Sequence, residues 1–281
     1  MSDNYILPKK KVKAYRVGKR LELGTNIGNS NPPIKLSSNT YLDAEGNVKV
    51  FKHRSQKRSD NADSLKKTMQ RLGRYIEHNF DGSDNELWIT LTYKENVKDT
   101  NKVYNDYKAF MRKIRRRYGQ IEYISILEPQ KRGAWHIHAL FRDDRNNKLY
   151  IDHKTLEKLW KHGFVWVKKL KQSDNVAAYV TAYLTDIDVN NDDDKEKKKP
   201  KKIEKGARLK LYPANMNFYR VSRGIKKPQE FSGMTKHELF NELDTDLSIY
   251  APDKFYEYDI EIGEGLQTLK FQREFYDYFR K

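Results

Sequence analysis

Ile121-Glu122-Tyr123-Ile124-Ser125-Ile126-Leu127-Glu128, the loop Pro129-Gln130-Lys131-Arg132-Gly133-Ala134, and Trp135-His136-Ile137-His138-Ala139-Leu140-Phe141 form the stretch on which the fold turns. Two runs rich in β-branched and aromatic residues flank a short Pro- and Gly-containing loop, which is the pattern of a β-hairpin. Side chains two apart on a strand share a face, so His136 and His138 project together. If the six-residue loop closes the hairpin, Glu128 falls roughly opposite His136 and shares that face. Two imidazoles and a carboxylate can then grip one cation and leave positions open for a substrate oxygen and water. That is the layout of a catalytic site rather than a closed structural one.

Working outward, Leu87 to Tyr93 reads as a strand, and Lys102 to Tyr118 as a helix ending in the basic run Arg112, Lys113, Arg115, Arg116, Arg117. Upstream, Asn61 can cap a helix to about Phe80, with Leu65, Met69, Leu72 and Ile76 as its apolar stripe. Downstream, Asp152 caps a short helix carrying Leu156, Leu159 and Trp160 that stops at Gly163, and Phe164 to Val167 forms another strand. Ser173 then caps a helix to about Thr185.

That last helix carries Tyr179 and Tyr183, neighbours on one face at i and i+4, beside an apolar stripe of Val176, Val180 and Leu184. A tyrosine hydroxyl, with a pKa near 10, is a poor nucleophile at neutral pH. A cation that polarises a phosphate and stabilises developing charge removes much of that difficulty. Attack gives a covalent phosphotyrosine that keeps the energy of the broken bond, so no ATP is required. A second tyrosine within reach permits a second transfer. No Walker-type phosphate loop is present, which excludes an ATP-driven motor of that kind.

The composition fits a nucleic-acid partner. Lys plus Arg number 56 against 39 acids in 281 residues, a formal charge of +17 that favours a polyanion. Nineteen tyrosines, twelve phenylalanines and four tryptophans supply stacking surface of the kind single strands use. The absence of cysteine excludes disulfides and thiolate metal sites. No apolar stretch is long enough to cross a bilayer, and the first residues lack the apolar run of a secretion signal, so the expected location is the cytoplasm.

Three regions are expected. Residues 1–57, polar and weakly periodic with Pro32-Pro33, read as a basic, partly flexible arm. Residues 58–225 read as the catalytic domain, with 187–206 (Asp192-Asp193-Asp194 and a lysine-rich tract) as a disordered loop. Residues 226–281 read as a C-terminal extension, with an alternating segment at Phe255–Ile262 and a helix around Leu269–Phe279.

Taken jointly, Glu128, His136-Ile137-His138 and Tyr179-Val180-Thr181-Ala182-Tyr183 resemble the HUH endonucleases, specifically the two-tyrosine rolling-circle replication initiators of phages and plasmids. Trp88-Ile89-Thr90-Leu91-Thr92-Tyr93 looks like that family's first motif. Arg208 to Pro213, continuing to Ser222-Arg223-Gly224, is similar to a stretch downstream of the tyrosines in phage-type and Gram-positive members. The match covers roughly residues 86–225.

The resemblance implies an α+β fold, a ferredoxin-like derivative whose central antiparallel sheet is flanked by helices, with N- and C-terminal extensions. It implies Mg²⁺ or Mn²⁺ as the cation, although ligand chemistry alone permits Zn²⁺ equally. It further implies attack on single-stranded DNA at a replication origin to give a 5′-phosphotyrosine and a priming 3′-hydroxyl. A host helicase and DNA polymerase in a bacterial cell would then be partners. The histidines precede the tyrosines, as in replication initiators; in conjugative relaxases the nucleophile comes first. Many members carry a lysine three residues after a catalytic tyrosine, whereas Ala182 and Asp186 stand at those positions here.

Lys131 and Arg132, in the ligand hairpin's loop, are expected beside the scissile phosphate, and Arg115 and Arg116 on flanking DNA backbone. Two other readings are open: a two-tyrosine single-strand DNA transposase, and a non-enzymatic basic DNA-binding regulator whose histidine pair is incidental.

Overall fold

The computed structural model describes residues 10–27, 34–37, 39–43, 45–50, 62–130, 133–145, 147–170, 177, 187–188, 203–204, 212, 216–243, 251–262 and 267–277. The chain divides into two compact units, Ser55–Lys227 and a second made of Met1–Arg54 with Pro228–Lys281. The architecture is α+β, with a central antiparallel sheet flanked by helices. Among the described residues no helix is long and apolar enough to cross a membrane.

Lys11-Val12-Lys13-Ala14 alternates charge with apolar side chains, and this period of two makes β1 (Lys11–Val17), with Val12 and Ala14 buried. Gly18, at φ 54°, supplies the positive φ that a two-residue hairpin turn needs at its first position. β2 (Arg20–Asn26) returns with Arg20 opposite Val17. Residues 11–26, expected within a partly flexible arm, are therefore regular strand. β3 (Ile34–Lys35), β4 (Thr40–Leu42) and β5 (Val48–Val50) form a small separate sheet.

In the larger unit, α1 (Ala62–Asn79) buries the expected stripe of Met69, Leu72 and Ile76. Burying Leu72 and Ile76 stabilises the fold by roughly 2 kcal/mol each. Then follow β6 (Glu86–Leu91), α2 (Thr100–Tyr118), β7 (Ile121–Pro129), β8 (Trp135–Asp143), α3 (His153–Trp160) and β9 (Val165–Lys169). Asp99 caps α2 by accepting from the Asn101 amide, and Asp152 caps α3 through the Thr155 amide, satisfying N–H groups that each first turn leaves open. β10 (Ile187–Asp188) pairs with β11 (Ile203–Glu204), and β12 (Tyr219–Val221) completes the main sheet in the order β12-β7-β8-β6-β9, antiparallel throughout.

The two faces of this sheet have different cover. Phe141 and Tyr123 project to one side, where α2 and α3 pack: Phe110 lies 6.4 Å from Phe141, Tyr107 5.4 Å from Tyr123 and Trp160 5.7 Å from Phe110. Tyr219, Ile126, His138 and Thr90 form one cross-strand row on the other side, where Tyr75 of α1 lies 6.5 Å from Tyr219. Gly163 lets β9 begin tight against the chain after β6. A Cβ there would come within 2.5 Å of the Lys94 nitrogen and 2.6 Å of the Thr92 carbonyl oxygen.

In the second unit, β13 (Gln229–Thr235) leads into α4 (Lys236–Glu242) through a capping box between Thr235 and Glu238. β14 (Lys254–Ile262) and β15 (Gln267–Tyr276) finish a sheet of order β13-β1-β2-β15-β14. Its core is Val12, Ala14, Leu21, Leu23, Phe231, Leu239, Phe240 and Tyr276. β15 corrects the helix expected at Leu269–Phe279. Leu269, Phe271 and Phe275 fit both periods locally, and pairing with β14 and with the distant β2 selects the strand.

Candidate metal centre

The ligand hairpin forms with the expected register. Glu128 is the direct cross-strand partner of His136, and His138 follows two residues on, so the three side chains share the face opposite α2 and α3. The turn is held by the Gln130 amide donating to Ala134 and the Gly133 amide donating to Gln130, each at 2.8 Å, with Gly133 at φ 86°. Behind it, the Trp135 indole donates to the Lys98 carbonyl at 2.9 Å and the Tyr212 hydroxyl to the Leu127 carbonyl at 2.9 Å. These bonds fix both strand ends, and with them the ligand positions.

Glu128 and His138 are each only 2% exposed, while His136 is partly exposed. Glu128 Oε2 hydrogen-bonds His138 Nε2 and lies 4.0 Å from His136 Nδ1. One ligand atom from each of the three residues lies within 4.8 Å of the others, so the trio can hold a metal ion. Burial pulls the His138 pKa down to about 3. The ring is therefore neutral at physiological pH, the form that ligates a metal.

Each imidazole has one nitrogen towards the cluster and the other on an orienting side chain. His138 Nδ1 meets Thr90 Oγ1 at 3.1 Å, and Trp88 Nε1 donates to the same hydroxyl at 3.1 Å. With Nδ1–H donating to Thr90, the Nε2 lone pair is free to bind a cation. His136 Nε2 meets the Gln130 amide, which, turned oxygen-first, accepts Nε2–H and leaves Nδ1 as the ligand. Thr90 and Gln130 were not singled out from sequence as orienting groups. Their signal is positional: Thr90 stands opposite His138 on β6, and Gln130 starts the turn.

The remaining sequence-derived positions stand apart from this cluster or outside the described residues. Arg115 is on α2, across the sheet from the ligands, where its guanidinium donates to the Ile121 carbonyl and lies 5.6 Å from the Tyr123 ring. Arg116 is exposed on the same helix. The structure does not bring either to the ligand trio. Tyr179, Tyr183, Lys131 and Arg132 lie outside the described residues, as do most of the helix expected from Ser173 and the lysine-rich tract. Ala177, within that expected helix, is helical and packs against the main core.

Comparison with known families gives one match that coincides with this geometry. Residues 86–188, from the start of β6 to the end of β10, match the model of the replication-associated protein family of the ORF2 type. No curated protein and no solved structure matches the chain. The matched segment contains Glu128, His136, His138, Tyr179 and Tyr183, and the match is consistent with a rolling-circle replication initiator.

Proposed function

We propose that this protein is a rolling-circle replication initiator that nicks and rejoins single-stranded DNA at an origin through a tyrosine-linked intermediate. The observation that carries the reading is the buried Glu128–His136–His138 cluster on paired strands, inside a segment similar to replication-associated proteins. Those three residues would hold a divalent cation, Mg²⁺ or Mn²⁺, whose chemistry is to polarise the scissile phosphate and offset charge on the departing oxygen.

The chain's own groups do the rest. Tyr179 or Tyr183 loses its phenolic proton and forms an O–P bond to the scissile phosphorus as the P–O3′ bond breaks. The 3′ oxygen leaves and takes up a proton, and the DNA remains joined to the enzyme as a 5′-phosphotyrosine. The second tyrosine serves a second transfer, which ends the round. Thr90 and Gln130 hold the two imidazoles in the tautomers that direct their lone pairs inward, while burial keeps His138 neutral. Lys131 and Arg132 would neutralise DNA backbone beside the cut.

The test is incubation of the full chain and Mn²⁺ with oligonucleotides tiled across the origin carried by the same replicon. Wild-type protein should form a covalent adduct resistant to denaturation, and the single variants Tyr179→Phe and Tyr183→Phe show which tyrosine attacks first. The double variant should form no adduct; one that still cross-links would sink the mechanism. Salt-sensitive binding without cleavage, indifferent to His136→Ala, would instead support a DNA-binding regulator.

A further inference from the structure

On the sheet face that carries the ligands, the edge strand presents an exposed aromatic side chain in line with the site. Trp166 pairs with Thr90, and Thr90 pairs with His138, so the three form one row across β9, β6 and β8. At a strand spacing of about 4.8 Å, the Trp166 backbone stands about 10 Å from that of His138. Val165 is fully buried on the helix-packed side, so Phe164 and Trp166 both project to the ligand side. They are 56% and 55% exposed, whereas Trp88, Trp135 and Trp160 are at most 5% exposed.

We propose that Trp166, with Phe164 beside it, is a nucleobase-stacking platform that aligns single-stranded DNA with the metal centre. The proposal rests on the reading that single-stranded DNA is the substrate. Stacking suits every base because each has a π-face, and it holds a strand without needing its sequence. A separation of about 10 Å corresponds to roughly three nucleotides at the 3.4 Å rise of stacked DNA, so the stacked base would lie about three nucleotides from the scissile phosphate.

Charge supports a polyanion as occupant. Lys168 lies on the same face, its Nζ 5.6 Å from the Trp88 ring centroid, and the chain carries a formal +17. A second copy added at the β9 edge is the less favoured occupant. His153 Nε2 already takes the Val165 carbonyl at 2.8 Å, which blunts that edge for strand pairing.

The test is tryptophan fluorescence of the full chain titrated with single-stranded DNA in EDTA, so that cleavage plays no part. Wild-type emission should be quenched saturably, because only Trp166 among the four tryptophans is accessible to a base. Trp166→Phe should lose the quench and retain affinity within about threefold, since phenylalanine still stacks. Trp166→Ala should weaken binding roughly 5- to 100-fold. A single abasic position about three nucleotides from the cut should reproduce that loss in wild type and add nothing in Trp166→Ala.

Unchanged emission on binding, an unweakened Trp166→Ala variant, or no single-strand binding by wild type would each overturn the proposal. So would Trp166→Ala that binds DNA normally but converts a wild-type dimer to monomer in sedimentation, which would assign the face to a second copy. If the quench and its loss occur but no covalent adduct forms with Mn²⁺, the endonuclease reading fails and the stacking platform stands.

Discussion

Both five-stranded sheets bury carboxylates, but they compensate them in different ways. In the sheet that joins residues from the two ends of the sequence, Glu22 ion-pairs with Arg273, and Glu274 pairs with Lys236 and accepts from the Tyr276 hydroxyl. In the central sheet Glu128, equally buried, faces two imidazoles, one of which burial keeps neutral. A carboxylate opposite a fixed arginine is part of the scaffold. A carboxylate opposite neutral ring nitrogens gains further from a visiting cation. The difference separates buried charge that holds the fold from buried charge that serves a site.

The largest expected effect falls on Glu128. Glu128→Gln keeps the shape and removes the charge, and should lower Mn²⁺-dependent cleavage by at least about a thousandfold, or roughly 4 kcal/mol of transition-state stabilisation. Wild-type protein should also gain about 2.7 kcal/mol in unfolding free energy when the cation is present at a hundred times its Kd. The variant should gain none. A variant that is stabilised equally by Mn²⁺ would break the comparison.

Next is the scaffold pair. Arg273→Ala strands the Glu22 carboxylate and should cost about 3 kcal/mol by denaturant unfolding, with no dependence on cation. If that loss were recovered by Mn²⁺, the two sheets would not differ in kind.

Glu86 sharpens the comparison through pH. Burial raises its pKa to about 7 despite hydrogen bonds from the backbone of Gly82 and Asp81. The folded state therefore holds this proton more tightly than the unfolded chain, whose value is 4.5. The resulting stability is fully present below about pH 4.5 and is lost as pH rises through about 7. Up to about 3 kcal/mol should disappear across that window. Glu86→Gln should flatten this part of the profile in thermal melts at pH 5 and pH 8.

The smallest effect belongs to the hydroxyl that orients His138. Thr90→Val preserves shape and β-branching but removes the partner of His138 Nδ1. Cation affinity, read by titration calorimetry, should fall about 10- to 100-fold, with little change in the far-ultraviolet spectrum.

Much of the central sheet was legible because its information is local. The alternation in Ile121–Glu128 and Trp135–Phe141, with a short loop between, fixes both strand identity and the Glu128–His136 pairing. Period-two spacing also put His136 and His138 on one face before any neighbour was known. The orienting groups were harder to find, because Thr90 reaches His138 from a strand 48 residues away. The second sheet was the least legible. Val12 and Ala14 alternate over only a few residues among lysines, and what makes them strand is pairing with β13 far along the chain. At β15 the local pattern fits both helix and strand, and a partner near the opposite end of the sequence decides between them.

The spacing of Glu128 and His138, ten residues apart on one hairpin, also bears on the order of assembly. Closing so short a loop costs little entropy, so the ligand pocket can form while the chain is still being made. The ion pair of Glu22 with Arg273 spans 251 residues, so its sheet must wait until almost the whole chain has emerged. During synthesis the chain would hold its cation-binding hairpin well before the sheet that draws residues 11–26 and 267–276 together.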